Sequence, residues 1–155
     1  MNPKTLFVLL IPLLLLPTAR ASTPTAATGS FTTIALDTGL RVTDEGNLVI
    51  TQVLTVTFAG DFVGALSGED VVVIDPSTGH GTLQGTGSFS GTLTGVSGTM
   101  NLSFSGTVNF PTITLYVTIL GGTGGLANLH GQGTVQGILN VGGTYSIQYH
   151  FDPGT

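Results

Sequence analysis

From Gly81 to Phe110, residues that are apolar or glycine take turns with residues that carry hydroxyl or amide groups. A period of two is the mark of a β-strand with one buried and one wetted face. Leu83, Gly85, Gly87, Phe89, Gly91 and Leu93 share one parity, against Thr82, Gln84, Thr86, Ser88, Ser90 and Thr92 on the other. The next run repeats the pattern, with Gly98, Met100, Leu102, Phe104, Gly106, Val108 and Phe110 against Thr99, Asn101, Ser103, Ser105 and Thr107. Antiparallel sheets read this way. A four-residue connection, Thr94-Gly95-Val96-Ser97, sets Leu93 opposite Gly98, Phe89 opposite Leu102 and Leu83 opposite Val108, a register that keeps one face apolar throughout.

The same alternation continues through Leu48, Ile50, Leu54, Val56 and Phe58, through Ile113, Leu115, Val117 and Ile119, through Leu129, Val135 and Leu139, and through Tyr145, Ile147, Tyr149 and Phe151. With strands over Phe31 to Leu36 and Phe62 to Asp75, the count reaches about eight at the short spacing of a barrel or sandwich. Val71 to Ile74 is a solid apolar run, read as β-propensity at a crowded wall or as a surface for self-association. No segment after the N-terminal region has helical period. Composition agrees: only 7% of the residues are charged, 24 are glycine and none is cysteine. That removes coiled coils, charge-driven disorder, disulfide frameworks, zinc fingers and thiol chemistry. Gly85 to Leu93 also echoes Gly131 to Leu139, glycine on glycine, and each reads as the first strand of a hairpin. Inward glycines let strands coil sharply and leave room for large side chains opposite. The fold class expected is therefore all-β: a single closed, antiparallel, eight-stranded barrel over residues 30–152. Closure also removes the edge strands that a chain poor in Lys and Pro leaves unprotected.

Residues 1–21 read as a secretory signal peptide. Lys4 supplies a positive charge, Leu6 to Leu16 is an apolar run broken only by Pro12, and Ala19 and Ala21 stand three and one before Ser22. The run is too short for a transmembrane helix. No cysteine follows it for a lipid anchor, and no apolar tail follows Phe151. Ser22 to Gly29 is small and polar, and reads as a flexible leader. Loss of Lys4 and Arg20 leaves eight acids with Arg41 alone and moves the net charge from −5 to −7. One basic residue cannot neutralise a phosphate backbone or an anionic bilayer, so nucleic acid and membrane partners are not expected after signal cleavage. The localisation expected is extracellular, or periplasmic in a Gram-negative source.

Three stretches carry a family resemblance. Thr118 to Ala127, with Gly121-Gly122-Thr123-Gly124, followed by Leu129-His130-Gly131-Gln132-Gly133, resembles the glycine-rich turn and next strand of the allene oxide cyclase and dirigent barrels. Val53 to Gly64 and Gly87 to Gly98 are similar to an uncharacterised, largely bacterial, secreted branch of that superfamily. The resemblance implies an eight-stranded antiparallel barrel around an apolar cavity. It transfers no active site, because neither family's acidic and basic pocket residues can be placed on this chain. The turn glycines themselves read as backbone devices; they open no helix and precede no Lys, unlike a phosphate loop.

The chemistry-bearing residues are few. His130 and His150 fall on outward parity of neighbouring strands, two to four residues out of step, which separates them too far to share a metal; His80 belongs to a turn. No serine sits in a strand-to-helix elbow. The pairs Asp44-Glu45 and Glu69-Asp70 read as solvated, and Asp61, beside Phe62 at a turn, is the acid expected at a barrel mouth. Asn101-Leu102-Ser103 is a glycosylation sequon on the outer face, meaningful only in a eukaryotic source. Phe58, Phe89, Phe104, Leu115, Tyr145 and Tyr149 point inward as filled core or as the walls of a ligand cavity. Two buried tyrosine hydroxyls hint at a polar spot there. No ionisable residue falls on inward parity in these runs. The functions expected are a secreted barrel that binds a small apolar molecule or serves as a stable extracellular module, or a cofactor-free isomerase or cyclase acting on a hydrophobic substrate. A homo-oligomer associating through Thr-rich outer faces is the third reading.

Overall fold

A computed structural model describes residues 23–152, and they form one antiparallel sheet of eight strands bent into a ring. The strands are β1 (Thr25–Val42), β2 (Leu48–Gly60), β3 (Phe62–Ile74), β4 (His80–Leu93), β5 (Val96–Asn109), β6 (Thr112–Gly124), β7 (Leu129–Ile138) and β8 (Gly142–Phe151). Each pairs with the next in sequence, and β8 returns to β1. The segment read as a signal peptide lies outside the described residues.

Alternation decides which face of each strand turns inward. In β6, Ile113, Leu115, Val117 and Ile119 are buried while Thr114, Tyr116 and Thr118 are exposed. One parity of the ring thus becomes a continuous apolar lining, because each strand alone buries nothing and only closure removes the whole lining from water. Around one end, Phe58, Phe62, Phe89 and Tyr145 pack edge to face with centroids 5.6 to 6.5 Å apart. Such contacts add to the burial of their area.

Three expectations need correction. Of the residues read as a flexible leader, Thr25 to Gly29 begin a strand: β1 pairs with β8 from Thr25↔Tyr149 to Thr32↔Gly142, and Ala27 is fully buried. Their small size reflects crowding. A side chain on Gly29 would collide with the Ala59 carbonyl and the Tyr145 hydroxyl. The β4–β5 hairpin is also tighter than expected, with Leu93 opposite Val96, Phe89 opposite Met100 and Gly87 opposite Leu102. Thr94 and Gly95 both have positive φ, 47° and 87°. A two-residue turn of that kind matches the twist of the flanking strands. The two-residue slip preserves the buried face and changes only which residues meet. Finally, closure does not remove every edge. The β1–β8 pairing ends at Thr32, one further bond joins the Thr33 amide to the Val141 carbonyl, and from Ile34 to Val42 β1 pairs with β2 alone among the described residues. Ile34, Leu36, Leu40 and Val42 are exposed there.

Candidate functional site

The interior is mostly filled. What space remains is a cavity of about 80 Å³ walled by Phe31, Leu54, Phe58, Leu66, Phe89, Leu102, Phe104 and Leu115, among others. Its one ionisable wall residue is Asp70, contributed by β3. The parity that buries Phe62, Leu66, Val72 and Ile74 also turns Asp70 inward and Glu69 outward. Reading the pair Glu69-Asp70 as solvated is therefore wrong for Asp70, as is the expectation of a lining free of ionisable groups.

Asp70 belongs to a cross-strand row that runs Asp37, Gln52, Asp70, Gly85, Phe104 through β1 to β5. Gln52 and Asp70 are only 3% and 7% exposed, and both are ordinarily surface residues. The Gln52 Nε2 group donates to Asp37 Oδ1 at 2.6 Å. Gln52 Oε1 and Asp70 Oδ1, both buried, have no hydrogen-bond partner among the described residues. Burial, followed by the nearby Asp37 charge, pushes the Asp70 carboxyl up to about 6. Gly85 explains the shape of this spot. A side chain there would run into the Phe104 ring, so the missing Cβ lets that ring lie across β4 beside Asp70. Asp70 and Phe104 also wall a second, open recess of about 510 Å³, lined by polar residues including Gln52, Glu69, Gln84 and Ser103 together with Tyr116. The buried carboxylate thus stands between an apolar lumen and a polar approach.

The residues expected at the site divide. Phe58, Phe89, Phe104 and Leu115 wall the cavity. Tyr145 and Tyr149 are buried outside its wall. The Tyr145 hydroxyl accepts from the Phe62 amide at 2.9 Å and donates to the Ala59 carbonyl at 3.4 Å, clasping β8 to the β2–β3 turn. Burial raises this hydroxyl above its ordinary value. Tyr149 packs edge to face on Phe151. The polar spot inferred from the two tyrosines is instead the Gln52 and Asp70 pair. Tyr145→Phe is expected to lower stability by about 1–2 kcal/mol, because it leaves the buried Phe62 amide without its acceptor. Urea unfolding measures this, and an unchanged midpoint would refute the clasp.

Asp61 lies at the ring end, in the β2–β3 turn. Its Oδ2 accepts from the Thr28 amide at 2.7 Å, its own amide donates to the Thr28 carbonyl, and its carbonyl accepts from Thr94. These bonds bind three elements together and hold the carboxylate outside the cavity wall. His130 and His150 face each other directly rather than out of step, their rings stacked 5.7 Å apart. The three-residue turn after Ile138 sets Ile138 opposite Gly142, and that register carries through to the histidines. Asp152 lies 3.1 Å from His130 Nε2 and 3.4 Å from His150 Nε2.

The model of a protein family of unknown function, DUF3224, matches residues 27–151, which is β1 to β8 almost entire. The chain belongs to the DUF3224 family. A solved DUF3224 protein of unknown function from Shewanella oneidensis MR-1 is similar at a TM-score of 0.74 and 22% identity, covering 84% of this chain and 99% of that one. At that identity the likeness shows the fold alone. No curated protein matches the chain.

Proposed function

We propose that this DUF3224 protein is exported and holds a small, largely apolar molecule inside a closed barrel of the allene oxide cyclase and dirigent kind. The observation that carries the reading is the largely apolar cavity, walled by aromatic and aliphatic side chains with Thr33, Asn140 and a single buried carboxylate, Asp70. Its volume sets the scale of the guest. Drug-sized ligands occupy about 300–1,000 Å³. A dry hydrocarbon cavity of about 150 Å³ takes benzene. A space of about 80 Å³ therefore suits a guest of a few heavy atoms.

Methyl NMR tests this directly. Propane and butane are expected to shift the methyl signals of Leu54, Leu66, Leu102 and Leu115, while long-chain fatty acids leave them in place. If no hydrocarbon moves any of these signals, the lumen is a filled core and the protein is a structural module.

A second reading, cofactor-free isomerisation or cyclisation in the same lumen, is favoured by Asp70. A carboxyl poised near 6 beside an apolar space can take a proton from a bound molecule and return it.

A further inference from the structure

We infer that the molecule held in the lumen carries a primary ammonium head, received between Asp70 and Gln52, on a short apolar body that lies among the aromatic walls. This rests on the reading of the lumen as a binding cavity and adds the chemistry of the guest.

Gln52 and Asp70 are opposite one another on β2 and β3, are more than nine-tenths buried, and present Oε1 and Oδ1 without a partner among the described residues. A buried acceptor without a donor is costly, and native interiors leave few of them. Both groups need a donor, and neither the polar lumen walls Thr33 and Asn140 nor the polar residues of the recess give one. The Gln52 amide nitrogen is already committed to Asp37. The next two members of the row, Gly85 and Phe104, have no polar side-chain atom.

Charge selects among donors. Two carboxyl groups, Asp37 and Asp70, flank Gln52 in the one row of strand pairing. Arg41 is the sole Lys or Arg among the described residues, and it makes no ion pair among them. An alkylammonium supplies three donors and one positive charge, so a single head satisfies Asp70 Oδ1 and Gln52 Oε1 and offsets the field of Asp37. A neutral alcohol supplies one donor and no charge. The cavity volume of about 80 Å³ limits the body to roughly three or four carbons. The polar recess beyond Asp70 and Phe104 provides the wet side from which a charged head arrives.

Propylamine, 1-propanol and propane, titrated at pH 7.5 and followed by the lumen methyl signals, test the inference. Propylamine is expected to bind about 10- to 100-fold more tightly than 1-propanol, the worth of hydrogen bonds to a charged group. Asp70→Asn, which keeps the side-chain shape, is expected to abolish that preference. Gln52→Leu, an independent variant that removes Oε1, is expected to weaken the preference. Propane binding with no preference for the amine, or a preference that survives Asp70→Asn, overturns the ammonium head and leaves the lumen reading standing. Failure of all three probes overturns the lumen reading, and the ammonium head falls with it.

Discussion

Phe89→Ala is expected to lower the stability of the ring by about 3–5 kcal/mol, the range for deleting a large buried aromatic side chain. Phe89 is fully buried. Its ring meets Phe58 at 5.8 Å and Phe62 at 5.7 Å, both nearly perpendicular. Collapse cannot refill the hole. The wall beside the ring is the backbone of Gly64 and Gly91, and those residues have no side chains to move in. The loss is a large share of the ~5–15 kcal/mol that holds most domains together. Urea unfolding with an unchanged slope gives the number. A second measurement separates cavity creation from general disruption. Phe89 already walls the lumen, so the new space joins the existing cavity, and benzene is expected to raise the midpoint of the variant and leave the wild type unmoved. A loss below about 1 kcal/mol would mean that the aromatic cluster does not anchor this end of the ring.

Alternation made the eight strands legible because burial on one face leaves a period that nothing else mimics. Where the sequence misled, a second physical demand had overridden that signal. Ser22 to Gly29 looked like a linker because its residues are small. Ala27 and Gly29 are small for the opposite reason: β1 there is wedged between β8 and the β2–β3 turn, with the Tyr145 hydroxyl against Gly29. The Thr94-Gly95 turn was misread by two residues because Val96 and Ser97 are strand residues with turn-like neighbours. Local pattern does not separate a two-residue from a four-residue connection when both keep the same face buried. The free stretch of β1 was hidden for a similar reason. Pairing length is set by where β8 begins, and β8 begins only at Gly142, opposite Thr32.

The candidate site was half visible. Phe58, Phe89, Phe104 and Leu115 follow from parity, but the residues that give the cavity a chemistry do not look like a motif. In β2 the inward series Leu48, Ile50, Leu54, Val56, Phe58 skips one position, and the residue in the gap is Gln52. In β3, Asp70 continues the parity of Leu66 and Gly68, yet Glu69 before it and Val71 to Ile74 after it give the impression of a charged turn running into an apolar strand. A polar residue at an inward position of an otherwise apolar series is the signal that finds both. Its meaning comes only from cross-strand pairing, which sets Asp37, Gln52 and Asp70 in one row although they are far apart in the chain. The histidines show the same dependence. Their stacking follows from the length of the turn after Ile138, on which strand alternation is silent.

Asp70→Asn is expected to stabilise the protein by about 2–3 kcal/mol above pH 7 and to have a much smaller effect near pH 4. The sign follows from linkage. Burial, aided by the Asp37 charge, raises the folded-state carboxyl from 3.8 to about 6. The folded protein therefore holds this proton more tightly than the unfolded chain does. Stability from that proton is fully present below the unfolded value, declines as pH rises from about 4, and is lost above about 6. Each unit of difference is worth about 1.4 kcal/mol, and water reaching Asp70 from the adjoining recess draws the total toward the lower figure. Asparagine has no proton to lose. Its amide also donates to Gln52 Oε1, which adds an offset that does not vary with pH. The other acids are common to both proteins, so subtracting one unfolding curve from the other at each pH isolates Asp70. The difference should rise from about pH 4 and level off above about pH 6. A difference constant from pH 4 to 8 would mean that Asp70 reaches water freely, and the buried acceptor pair on which both the acid–base reading and the ammonium head depend would go with it.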